Sequence, residues 1–162
     1  MKTVILVRHA KSSWEYGVSD RDRPLMERGI RDADKVAKEF RKKAVKIDAA
    51  YSIPANRALH TAMIFLRALD YPFSKFELSD ALYDFGGNEV RSFIRSLDDD
   101  KETVIIFGHN EAFTNLANAM GSQYIGNVPT SGVVELKFDV GNWDSVEKGT
   151  TTRILLPKDL KE

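Results

Sequence analysis

Apolar residues along this chain follow two different periods, and the switches between them predict its elements. Thr3-Val4-Ile5-Leu6-Val7 and Thr103-Val104-Ile105-Ile106-Phe107 are short, uninterrupted, β-branched runs, the pattern of strands buried on both faces. Asp48 to Tyr51 predicts another strand and Phe76 to Leu78 a short edge strand. Val133 to Phe138 alternates so that Glu135 and Lys137 face water, and Thr151 to Leu156 supplies a last strand. Between the strands the spacing becomes helical. Ile30, Ala33, Val36, Ala37 and Phe40 mark a buried stripe over Glu27 to Lys43. Arg57, Thr61, Ile64, Phe65 and Ala68 share a face of a second helix, with Pro54 in its first turn. Val90, Phe93, Ile94 and Leu97 mark a third, capped by Asn88, and Phe113, Leu116, Ala117 and Met120 a fourth. Strands alternating with helices give an α/β fold. Residues 1–162 form a single three-layer domain with a mostly parallel central sheet of about five or six strands flanked by helices.

Composition narrows the function classes. Lys+Arg and Asp+Glu balance at 24 each, so the basic surplus of a nucleic-acid-binding protein is missing and no nucleic-acid partner is expected. Without cysteine, disulfides and thiolate metal sites are excluded. No run approaches membrane-spanning length, and no charged segment precedes an apolar one at the start of the chain. No membrane association is expected, and the expected location is the cytoplasm.

Charge and polarity become informative where the strands end. Both buried runs stop at a histidine, in Arg8-His9 and in Gly108-His109. Ligands of open parallel sheets bind beyond the carboxyl ends of the strands. Ser52 and Arg57, after the 48–51 strand, belong to the same end. Two arginines and two histidines brought together make an anion site, because the guanidinium fork matches phosphate oxygens. A histidine there can also serve as a nucleophile. Zinc is the competing ligand. The flanking arginines would repel it, and no His-x-x-x-His spacing occurs. A purely structural role suits one core histidine better than two at matched strand ends. Three features read as ordinary surface: Asp98-Asp99-Asp100 as a solvated turn, Asp20-Arg21-Asp22-Arg23 as part of a solvated connector, and His60 as an exposed helix residue. Gly29, inside a helical first turn, implies close backbone packing, and Gly108 implies crowding by the neighbouring strand's ligand.

Arg8-His9-Ala10-Lys11-Ser12 resembles the first motif of the histidine phosphatase superfamily, which includes the cofactor-dependent phosphoglycerate mutases. Ser52-x-x-x-x-Arg57-Ala58-x-x-Thr61-Ala62 resembles its second motif and Gly108-His109-Asn110 its third. Asp22-Arg23-Pro24-Leu25 with Gly29, and the compact length, are more similar to the small phosphohistidine phosphatases of the SixA type. The resemblance covers nearly the whole chain in order. It implies a phosphoglycerate mutase-like fold and a metal-independent phosphatase with no cofactor, acting through phospho-His9. Arg8, Arg57 and His109 would bind and stabilise the phosphoryl group, with Ser12 and Asn110 as further substrate contacts. Many members place a glutamate after a leucine as proton donor; here Leu82-Tyr83-Asp84 makes Asp84, one carbon shorter, the candidate acid. Met26 stands where relatives often have a capping Thr. The expected substrate is protein phosphohistidine or another phosphorylated substrate with a good leaving group. A small-molecule phosphatase, a phosphoglycerate-type mutase and a non-catalytic phosphate-binding module are the alternatives.

Overall fold

The computed structural model describes residues 1–43 and 46–160. Six strands form one sheet: β1 (Lys2–Arg8), β2 (Ala49–Ser52), β3 (Phe76–Leu78), β4 (Thr103–Gly108), β5 (Val133–Phe138) and β6 (Thr150–Leu155). Their order is β3-β2-β4-β1-β5-β6. The first four run parallel, and β5 pairs antiparallel with both β1 and β6. The helices are α1 (Glu27–Arg41), α2 (Asn56–Ala68), α3 (Asn88–Arg95) and α4 (Asn110–Met120). The expected α/β class, three layers and mostly parallel sheet are all present.

The uninterrupted apolar runs follow from burial on both faces of the sheet. Ile5, Val7, Ile105 and Phe107 pack with Ala33, Val36 and Phe40 of α1 and with Ala62, Phe65 and Leu66 of α2. Val4, Leu6, Val104 and Ile106 pack on the other face with Val90 and Ile94 of α3 and with Phe113, Leu116 and Met120 of α4. Since successive strand side chains alternate faces, two helical layers demand apolar residues at every position. Among the described residues no helix is long and apolar enough to cross a membrane.

Local expectations needed four corrections. Helix α2 begins at Asn56, with Ala55 at the cap, so Pro54 precedes the helix. Gly87, at φ 103°, occupies the cap position of α3, and Asn88 is its first residue. Ile30 is 38% exposed; the stripe of α1 turns inward at Gly29 instead. Glu135 is only 6% exposed. Strand β5 is flanked by β1 and β6, and the Glu135 carboxylate accepts a hydrogen bond from Thr152 Oγ1 at 2.8 Å. Alternation on a strand shows water on one face only where nothing covers that face.

Gly29 anchors the chain just after β1. A Cβ there would lie 2.3 Å from the carbonyl oxygen of Lys11 and 2.9 Å from its nitrogen. The Met26 N–H also donates to that carbonyl, at 2.9 Å. Because the obstruction is backbone, relief requires moving the segment that follows the first histidine. Gly29→Ala should cost about 2–3 kcal/mol in urea unfolding; a loss below about 0.5 kcal/mol would show that the Lys11 segment yields freely.

Candidate active site

The register of the sheet sets the floor of the site. β1 and β4 are adjacent and parallel, with Arg8 paired to Gly108. His9 and His109 therefore each stand one residue past the same rung, and the His9 N–H donates to the Gly108 carbonyl at 2.8 Å. Parallel neighbours lie about 4.8 Å apart, so the two rings leave the sheet side by side. Gly108 is required here for a different reason than expected. A Cβ would lie 2.5 Å from Cζ of Phe113, a core residue of α4, so the crowding comes from the helix following the strand.

Helix α2 brings the third side chain. Arg57 is buried in its first turn. Thr61, one turn on, joins this helix to the first histidine: its hydroxyl donates to the Arg57 carbonyl at 2.7 Å and accepts the Ala10 N–H at 2.9 Å. His9, Arg8, Arg57, His109, Ser12 and Asn110 line one cleft of about 320 Å³, together with Lys11, Trp14, Arg23, Phe85, Glu111 and Thr130. All the residues expected there are brought together except Asp84, which does not line it. Ser52 turns away as well, donating to the Ile53 carbonyl at 2.9 Å.

Hydrogen bonding assigns the His9 tautomer. Nδ1 lies 2.8 Å from the Ala10 carbonyl oxygen, which can only accept, so Nδ1 carries the proton and the lone pair falls on Nε2. Burial, assisted by the charges of Arg57 and Arg8, pushes the His9 pKa down to about 3. The ring stays neutral at any physiological pH. Burial also lowers the pKa of His109, with Arg57 acting in the same direction. Its Nε2 and the Nε of Arg8 are buried with no hydrogen-bond partner among the described residues. Of the two, the Arg8 Nε–H is always a donor, and an open donor in a cationic cleft suits an anion. Arg8 is otherwise fixed by Val128, whose carbonyl accepts from Nη1 at 2.9 Å.

The Asp20–Arg23 segment departs most from expectation. It folds back onto the site through an antiparallel bridge between Ser12 and Leu25. The Asp20 carbonyl and carboxylate accept from the two terminal nitrogens of Arg57, at 2.7 and 3.1 Å. The same carboxylate accepts from Arg23 at 3.1 Å and from the Tyr83 hydroxyl at 2.6 Å. Tyr83 first, then Arg57 and Arg23, hold its pKa near 2 against the opposing effect of burial. Arg23 itself is buried, donates to the Ser13 carbonyl and to Ser12 Oγ, and lies 3.3 Å from the Trp14 ring centre. The connector is solvated as expected over residues 14–22, but Asp20 and buried Arg23 also serve as a scaffold for the arginines. Sequence reasoning saw the charge cluster, and only the fold-back gives it a role.

Asp84 has a different task. Its Oδ2 accepts the N–H of Glu89 at 2.8 Å and of Val90 at 3.2 Å, and its Oδ1 that of Gly86 at 3.2 Å. It satisfies the open amides of α3, the cap expected of Asn88. The expected capping deficit at Met26 is present, since no side chain caps α1. Asn110 lines the cleft, but its amide bonds to Asn127 and Thr114. Ser131 was missed by sequence reasoning. It adopts a left-handed conformation, φ 61°, and its N–H is shared by the carbonyls of Arg8 and His9 at 3.2 Å each. Strained backbone of this kind persists where the surroundings hold it, here at the turn that aims the nucleophile candidate. His60 is half-buried in a groove between α1 and α2, away from the cleft. Among the described residues no group of three His, Cys, Asp or Glu could hold a metal ion.

Comparisons with known proteins agree with this geometry. The sequence profile of the histidine phosphatase superfamily (branch 1) matches residues 4–94. An uncharacterized Mycobacterium tuberculosis protein is 30% identical over 153 residues, covering 88% of this chain and 93% of its own length. An uncharacterized Mycobacterium leprae protein is 27% identical over 154 residues, covering 87% and 92%. Among solved structures, the protein histidine phosphatase SixA in complex with tungstate shares the fold at a TM-score of 0.83, with 22% identity over 98% of this chain and 99% of the other. A candidate phosphohistidine phosphatase SixA from Agrobacterium tumefaciens gives 0.78, with 25% identity over 96% and 99%.

Proposed function

Because the chain belongs to the histidine phosphatase superfamily, branch 1, and is thereby a phosphatase, we propose that it works without a metal, through a phosphohistidine formed on His9, on protein phosphohistidine. The observation that carries this reading is the His9–Ala10 hydrogen bond of 2.8 Å, which leaves an unprotonated Nε2 in a cleft lined by three arginines. A nucleophile that stays neutral and is held by its second nitrogen meets the requirement for covalent phosphoryl transfer.

The chemistry runs in two displacements. The Nε2 lone pair attacks phosphorus, and the bond to the leaving atom breaks with its electron pair going to that atom. Arg8, Arg57 and the His109 side chain stabilise the charge on the equatorial oxygens. A second displacement by water breaks the phosphorus–Nε2 bond and restores the histidine. One water proton stays on the phosphate, and the other balances the proton taken from solvent by the leaving group. Asp84 is not assigned as the acid, because its carboxylate oxygens are engaged by the amides of Gly86, Glu89 and Val90 and it does not line the cleft. Without that donor, leaving groups that need no strong acid are favoured, and a protonated imidazole is one. The match to SixA phosphatases and the small, open cleft support a phosphoryl group displayed on a protein. Mixing labelled substrate with enzyme and quenching in base should give protein-bound label that is base-stable and acid-labile, and maps to His9. Turnover with no such species in a rapid quench would exclude the covalent route.

The depressed pKa of His9 carries a stability consequence. Folded His9 protonates near pH 3, while an unfolded histidine does so near 6.5. Above about 6.5 both states are neutral and pH has no effect through this group. As pH falls from 6.5 toward 3, the unfolded chain binds a proton that the folded chain refuses, so stability declines. At pH 5 the cost is about 2 kcal/mol relative to pH 7. His9→Gln should remove that part of the pH dependence in paired urea titrations, and equal slopes for the two proteins would show that His9 titrates normally.

A further inference from the structure

We propose that Trp14 and Phe85 form a subsite for a flat ring carried on the leaving side of the phosphoryl group. This deepens the phosphatase reading above and rests on it.

The cleft combines two chemistries. Its base is cationic, with Arg8, Arg23 and Arg57, and two large aromatic rings also line it. Trp14 is 78% exposed and Phe85 is 64% exposed. They come from different connections, Trp14 from the segment after β1 and Phe85 from the segment leading into α3. Each ring is anchored by a residue of the anion cluster. The Arg23 guanidinium sits 3.3 Å from the centre of the Trp14 ring, and Arg23 is itself held by the Ser13 carbonyl and the Asp20 carboxylate. The Phe85 ring lies 4.9 Å from the His109 ring at an interplanar angle of 61°. Both rings are therefore positioned before a substrate arrives, and most of their surface remains open.

A small aliphatic phosphoester would use the arginines and leave both rings in water. A ring bonded at phosphorus would bring its own face against them as the phosphoryl group settles among Arg8, Arg57 and His109. Aromatic contacts prefer offset or edge-to-face geometry and are gained without unpairing any polar group. Selection by ring faces is also tolerant of the ring's hydrogen-bonding pattern. The chemical class is thus a phosphoryl group on a planar ring. The N-phosphorylated imidazole of phosphohistidine falls within it, and phosphoserine or a phosphoglycerate does not.

Phenylphosphonate and methylphosphonate test the subsite by binding, since neither is readily hydrolysed and they differ by the ring. In calorimetric titrations the phenyl compound should bind the wild-type protein about 10-fold more tightly. Trp14→Leu and Phe85→Leu keep apolar bulk over Arg23 and against His109 but remove the aromatic face. Each should shrink the preference, and together they should bring it within about 2-fold with the methylphosphonate affinity retained. Equal wild-type affinities, or a preference that survives both substitutions, would overturn the subsite. Parallel weakening of both ligands would overturn it too, because the rings would then act only as props for the cations. Failure of the phosphatase reading is read separately, as absence of labelled His9 in the quench experiment.

Discussion

Replacing His9 with Ala should lower kcat by at least about ten-thousand-fold and abolish the base-stable label. Loss of a covalent nucleophile removes the reaction path itself, whereas loss of a binding group only raises a barrier along it. The structure explains why no neighbour would substitute. His109 stands just past the end of the adjacent strand, and the backbone group beside its ring is that of Asp84 and not, as for His9, the carbonyl of the next residue. Its Nε2 has no partner among the described residues and is open to a bound phosphoryl group. Orthovanadate and inorganic phosphate should still bind the His9→Ala protein, because the arginines remain. A variant that retained more than about one hundredth of the wild-type kcat would show that water, and not His9, makes the first attack.

Arg57→Ala should reduce kcat/KM by about 100- to 1000-fold. Arg57 is buried beside the cleft, and its two terminal nitrogens are held at 2.7 and 3.1 Å by the carbonyl and carboxylate of Asp20. The guanidinium is thereby oriented before substrate arrives and need not reorganise during phosphoryl transfer. Lysine would carry the charge but not the fork, so Arg57→Lys should recover less than about 10-fold of the loss. If stabilisation is specific to the transition state, kcat should fall more than KM rises. A loss smaller than about 10-fold in the alanine variant would assign the phosphoryl oxygens mainly to Arg8 and Arg23.

What could be read from the chain depended on whether the pattern was local. β1 and β4 declared themselves because strands covered on both faces need apolar residues throughout. The histidines that end them, and Arg57 in the first turn of α2, were visible as chemistry at strand ends. Asp20 and Arg23 were not, because their role depends on the Ser12–Leu25 bridge that returns them to Arg57. Glu135 misled because its carboxylate is taken up by the Thr152 hydroxyl of β6, later in the sequence, while Lys137 stays exposed as expected. Asp84 is a candidate by position; its hydrogen bonds to the amides of Gly86, Glu89 and Val90, which no sequence displays, give it a capping role at α3. Trp14 and Phe85 sit beside motif residues yet outside every motif, so only their exposure in the cleft drew notice.

The strand that carries Arg8, and just beyond it His9, finds neither partner nearby in the sequence. β1 pairs with β4 and β5 alone, both of which lie far downstream. At ribosomal rates of roughly 5–20 residues per second, its apolar Val4–Val7 stretch waits on the order of 5–20 s for the first of them. During that interval both edges of β1 are open to the wrong strand, whether from the same chain or from a neighbouring nascent one. His9 and His109, one residue past paired positions of the two strands, come together only after the roughly hundred residues between them have been made, so the cleft cannot form before β4 does.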